Sequence, residues 1–91
     1  MERSEIEKRF YDMVKPLTDK NGFELIKTEY VKEGGNYFLR AYIDKEGGIT
    51  IDDCVLISRM VSKQLDKEDF IEDAYTMEIS SPGFMTGENN E

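Results

Sequence analysis

Residues 41–54 read Ala41-Tyr42-Ile43-Asp44-Lys45-Glu46-Gly47-Gly48-Ile49-Thr50-Ile51-Asp52-Asp53-Cys54. Four acids, two adjacent glycines and a cysteine stand between two apolar runs, and their reading decides both fold and chemistry. A calcium loop of the EF-hand type starting at Asp44 would need glycine at its sixth position and glutamate at its twelfth. Ile49 and Val55 occupy those positions. A phosphate cradle would need a glycine-rich loop closed by a Gly-Lys-Ser/Thr run, which the chain lacks. Asp44, Asp52 and Asp53 could form a carboxylate cluster, but acids at a helix start also complement the helix dipole. Thr50 followed by Asp53 has the spacing of a capping box in acidic form. The stretch therefore reads as a strand, a sharp turn at Gly47-Gly48 and a capped helix.

Working outward, Asp52 to Leu65 is expected to be helical. Cys54, Ile57, Val61 and Leu65 would share one face, with Leu56 and Met60 flanking them. Cys54 then serves as a small core hydrophobe. Upstream, Tyr37 to Asp44 alternates, with Leu39, Ala41 and Ile43 on one side and Phe38, Arg40 and Tyr42 on the other. The first set is compact and apolar, so it is placed against the helices. Glu33-Gly34-Gly35-Asn36 reads as a tight hairpin turn, because paired glycines accept positive φ. Phe23 to Lys32 becomes the outgoing strand. Ile6, Phe10, Met13, Val14 and Leu17 keep helical spacing; Ser4 and Glu7 form a candidate cap, Pro16 a kink, and Asn21-Gly22 the stop. Downstream, Lys67-Glu68-Asp69 reads as a charged exit, and Tyr75 to Ser80 alternates as a third strand. The order α-β-β-α-β predicts an α+β two-layer sandwich, with both helices on one face of a three-stranded sheet.

Composition limits the function. Ninety-one residues suit one domain, taken as 1–83, with a flexible acidic tail at 84–91. One cysteine excludes an internal disulfide and points to a reducing cytoplasm. No apolar run reaches membrane-spanning length, and the N-terminus lacks the apolar core of a signal peptide. The chain has no histidine, which removes histidine-based triads. No enzyme activity, catalytic residue, metal or cofactor is expected. Twenty acids against 12 bases give a net charge of −8. That surface repels phosphate backbones, and no basic stripe compensates.

Three segments together are more specific than any one alone. Gly22-Phe23-Glu24-Leu25 opens the first strand, "YVKEGGNYFLRAYIDKEGGITIDDC" spans the hairpin and the turn into the second helix, and "YTMEISSPG" closes the sheet. In this order and spacing, from about Ile6 to Gly83, the chain resembles the N-terminal domain of the bacterial ribosome maturation factor RimP. The resemblance implies a cytoplasmic, non-enzymatic factor that assists maturation of the small ribosomal subunit. It also implies a KH-like outline and a following Sm-like barrel. In the family an apolar residue and an Asp-Arg-Pro-type linker usually follow the Ser-Pro-Gly; here Phe84 is followed by Met85-Thr86-Gly87 and acidic residues. The usual barrel is thus expected to be lacking.

KH recognition clamps the RNA backbone with a Gly-x-x-Gly loop. The pairs Gly34-Gly35 and Gly47-Gly48 lack that spacing, which leaves RNA contact open and makes a basic ribosomal protein the better partner. Phe38, Arg40 and Tyr42 combine aromatics with arginine, as interface hot spots do. Equally, Arg40 could pair across the sheet with Glu78 or Glu29. Ser80, Ser81, Pro82 and Gly83 complete the candidate partner-binding set, although a strand terminator would look the same. The remaining alternatives are a general protein-interaction module and a weak RNA-binding KH-like domain. A monomer is expected.

Overall fold

A computed structural model describes residues 2–81. The elements are α1 (Arg3–Lys20), β1 (Glu24–Glu33), β2 (Asn36–Asp44), α2 (Ile51–Glu68) and β3 (Tyr75–Ser80). The chain is therefore an α+β fold in the expected α-β-β-α-β order. Pro82, Gly83 and the proposed tail lie outside the described residues.

Residues 44–54 form a turn and a capped helix start, as their spacing predicts. The Thr50 hydroxyl accepts the Asp53 backbone N–H at 3.1 Å, and the Asp53 carboxylate accepts the Thr50 N–H at 3.0 Å. Lys45 adds an ion pair to the same carboxylate at 2.8 Å, while its ammonium lies over the Phe23 ring. Donation from Lys45, and then from the Thr50 N–H, holds the Asp53 carboxyl below its ordinary pKa. Gly47 and Gly48 take φ of +87° and +98°, where a side chain would be strained. Asp53 is thus consumed by structure. The helix runs three residues beyond Leu65, through the expected charged exit, until Asp69 caps it with φ +44°.

At α1 the capping register differs from expectation. Glu2 is the N-cap, and its backbone N–H donates to Glu5 at 3.0 Å, leaving Ser4 inside the helix. Glu7 is engaged elsewhere. Its carboxylate accepts the Tyr30 backbone N–H at 2.8 Å, and its carbonyl accepts the Thr28 hydroxyl at 2.7 Å. These bonds tie α1 to the outer edge of β1 and block it against pairing with another strand. Pro16 sits inside α1 without ending it.

The sheet order is β1-β2-β3, with β1 antiparallel and β3 parallel to the central β2. A register shift between Leu25 and Lys27 leaves Ile26 exposed on β1. Leu39, Ala41 and Ile43 are fully buried, in one cluster with Phe10 and Val14 of α1 and Ile57 and Val61 of α2. Both helices therefore cover the same face of the sheet. Burying each large side chain here contributes roughly 1.5–3 kcal/mol. Cys54 is only partly buried against this core, and burial pushes its thiol pKa up, away from reactivity.

Candidate functional site

Strand alternation fixes what the other face of the sheet displays. The cross-strand pairs Val31–Phe38, Glu29–Arg40 and Lys27–Tyr42 continue onto β3 as Thr76, Glu78 and Ser80. Phe38, Arg40, Tyr42 and Ser80 therefore share one surface. Ser81 points elsewhere and is 2% exposed. Pro82 and Gly83 lie outside the described residues.

Arg40 organises this surface. Its Nε donates to Glu78 Oε1 at 2.7 Å, and its two terminal nitrogens reach both oxygens of Glu33 at 3.1 and 3.2 Å. Glu29 lies 3.6 Å from Nη1, and the guanidinium stacks over the Phe38 ring at 4.8 Å. A planar fork with carboxylates on two sides is held far more firmly than a surface lysine would be. The bond to Arg40 holds the Glu33 carboxyl below its usual range, and the Glu33 and Glu78 bonds raise Arg40 further above its own. Both anticipated partners, Glu78 and Glu29, are present.

Tyr42 is the second organiser. Its hydroxyl donates to Glu29 Oε1 at 2.6 Å, and the Lys27 ammonium lies over its ring at 5.1 Å. Only 8% of Tyr42 is exposed, so this face is not bare at its centre. Burial first, and then the hydrogen bond to Glu29, pushes the phenol pKa up to about 12. The surface is a set of carboxylates around one satisfied arginine, with aromatic rings set among them. Such an arrangement can recognise a basic, partly apolar surface. Among the described residues no group of three or more His, Cys, Asp or Glu could hold a metal ion.

Glu33 was absent from the sequence reading of this site. It stands on the same alternation as Lys27, Glu29 and Val31, and the hairpin turn brings it back beside Arg40. Period-two counting from Glu29 would have found it.

Residues 13–85 match the family described as the RimP N-terminal domain, over well more than half of the chain. The chain belongs to the RimP N-terminal domain family. Membership carries, in general terms, a role in ribosome maturation, and the family is not a known enzyme family. The resemblance seen in the strand, hairpin and Ser-Pro-Gly segments thus holds at the level of the family. No helix among the described residues is long and apolar enough to cross a membrane.

Proposed function

We propose that the chain acts in the cytoplasm, as a monomer and without catalysis, in maturation of the small ribosomal subunit. In this reading the outer face of its sheet docks on a basic ribosomal protein. The observation that carries it is the cluster Glu29, Glu33 and Glu78, ordered around Arg40 beside Phe38 and Tyr42. Three carboxylates against Arg40 and Lys27 leave this patch with excess negative charge, in a chain of net −8. Long-range attraction to a basic surface speeds encounter, while the half-buried Phe38 ring supplies apolar contact once water is displaced. Because Arg40 is already satisfied, it holds the carboxylates in place and is not the group offered to the partner. Ser80 extends the same face, and Pro82 and Gly83 follow it in sequence as further candidates; Ser81, 2% exposed, offers a partner little surface.

A KH-type RNA-binding role has less support. Gly34-Gly35 and Gly47-Gly48 both serve turns, with positive φ at each glycine. A general interaction module would share the fold without the ribosome, and co-sedimentation with small-subunit precursors against unrelated basic proteins separates the two.

The test titrates the chain onto small-subunit precursors at two salt concentrations. Glu33→Lys and Asp12→Lys change the net charge equally, but Asp12 lies on the far side, exposed on α1 and paired with Lys8. Glu33→Lys is expected to weaken binding severalfold more than Asp12→Lys, with the difference shrinking as salt rises. Equal losses from both variants would show that net charge, and not this face, governs binding.

A further inference from the structure

The outer side of α2 has the opposite character. Ile51, Val55 and Leu56 are 72%, 44% and 44% exposed, three of the four large hydrophobic residues open to solvent among the described residues. Beside them a groove of about 300 Å³ runs between α2 and β3, lined by Ile51, Cys54, Val55, Ser58, Arg59 and Ile79. Arg59 and Lys63, both exposed, have no ion pair or hydrogen-bonding partner among the described residues. Most other cations of this acidic chain are paired or lie over a ring. The strand bordering the groove is β3, the edge of the sheet opposite the β1 edge that Glu7 blocks.

Val55, Arg59 and Lys63 follow one another at intervals of four residues, or about 6 Å of helix rise per step. Alternate residues of an extended strand are about 6.6 Å apart and point to the same side. A strand added along β3 would therefore place successive same-side residues opposite Val55, Arg59 and Lys63. Helix α2 returns from the end of β2 to the start of β3, so it runs opposite to β3. An added strand antiparallel to β3 meets the apolar end of the row first and the cations afterwards.

We infer that the α2–β3 groove binds an extended segment of a partner protein, added antiparallel to β3, with the same-side pattern apolar, then acidic, then acidic. The apolar residue enters between Ile51, Val55 and Ile79, and the first carboxylate pairs with Arg59. Main-chain bonds to β3, an edge strand of the sheet, supply sequence-independent affinity, and the row on α2 supplies the choice of side chains. The net charge of −8 opposes any acidic segment at long range, so selection depends on contact at Arg59 and not on steering. An RNA strand is a poorer match, because the described residues lining the groove include no aromatic ring on which a base could stack.

The experiment follows backbone amide shifts of the full chain by NMR. The probe is a blocked peptide with the order threonine, leucine, threonine, aspartate, threonine, aspartate, and its control carries lysine for both aspartates. The aspartate peptide is expected to shift the amides of β3 and of residues 51–59, and to bind at least tenfold more tightly than the control. Arg59→Glu should reverse that preference, and this exposed, unpartnered position leaves the fold intact. The proposal is overturned if the aspartate peptide leaves β3 unmoved, if the two peptides bind alike, or if Arg59→Glu has no effect. Stronger shifts of the same row by an oligouridylate would also overturn it, in favour of RNA.

Discussion

Arg40 and Arg59 are the same side chain in opposite circumstances. Arg40 is 19% exposed on the sheet face, is bonded to Glu33 and Glu78, lies near Glu29 and stacks on Phe38. Arg59 stands on α2 without a partner among the described residues, beside exposed Val55. One face of the molecule spends its arginine on internal order and presents carboxylates. The other leaves its arginine available. A residue count sees two identical cations in a chain of net −8. The structure makes one a fixture of the sheet and the other part of a surface, and substitutions should separate those roles.

The largest effect is expected from Arg40→Leu. Removing the guanidinium leaves three carboxylates facing one another without their cation. Breaking a fully buried pair from one side costs roughly 3–5 kcal/mol, so about 2 kcal/mol is the expectation here, since Glu33 and Glu78 remain half open to water. Denaturant titration at neutral pH measures it, and the gap from wild type should narrow in acid as Glu33, whose carboxyl Arg40 holds below its usual range, takes up its proton. A change below about 0.5 kcal/mol would reduce the Arg40 cluster to an ordinary surface ion pair.

Tyr42→Phe comes next, at about 1 kcal/mol at neutral pH through loss of the hydroxyl bond to Glu29. Its pH dependence is more specific. The folded pKa, about 12, lies above the unfolded value near 10. The stabilisation is therefore fully present below about pH 10 and is lost as pH rises through about 12. Tyr30 and Tyr75 are also raised by burial, so both proteins should weaken in alkali. The gap between wild type and Tyr42→Phe should close over that window, as read by unfolding curves at several pH values. A constant gap would mean that the Tyr42 phenol is neither desolvated nor bonded to Glu29 in the folded state.

These two effects concern interactions that the sequence disclosed unequally, for physical reasons. Thr50 and Asp53 were legible because a capping box is local, with both partners within one turn. Leu39, Ala41 and Ile43 were legible because strand period and burial agree. Local rules failed at Ser4 and Glu7, where Glu2 and Glu5 satisfy the same spacing two residues earlier. The register is coupled to tertiary contact, because Glu7 serves the edge of β1. Glu33 was missed because a hairpin had to fold before it met Arg40. Arg59 and Lys63 were hidden by the abundance of acids. Their availability depends on where each carboxylate goes, which composition does not record.

Thr50→Ala tests whether the α2 face depends on its own cap. It is expected to cost about 1 kcal/mol through loss of the bond accepted from the Asp53 N–H. The loss should appear as faster amide exchange in the first turn of α2, which carries Ile51, with the Arg40 cluster on the sheet unaffected. An unchanged unfolding midpoint would mean that Lys45 and Asp53 hold the turn without the hydroxyl.

The smallest expected effect is that of Arg59→Ala, and its smallness is what gives it meaning. An exposed arginine without a carboxylate partner adds little beyond packing of its stem, and alanine is the better helix former. The unfolding free energy should therefore stay within about 0.5 kcal/mol of wild type. Raising salt should not widen the difference, because no close ion pair is present to screen. A loss comparable to that of Arg40→Leu would mean that Arg59 has a structural partner in solution, and the contrast between the two faces would collapse. A slight gain in stability would sharpen it instead. The fold would then be keeping an arginine that it does not need for itself, at the one row of α2 where an added strand could use it.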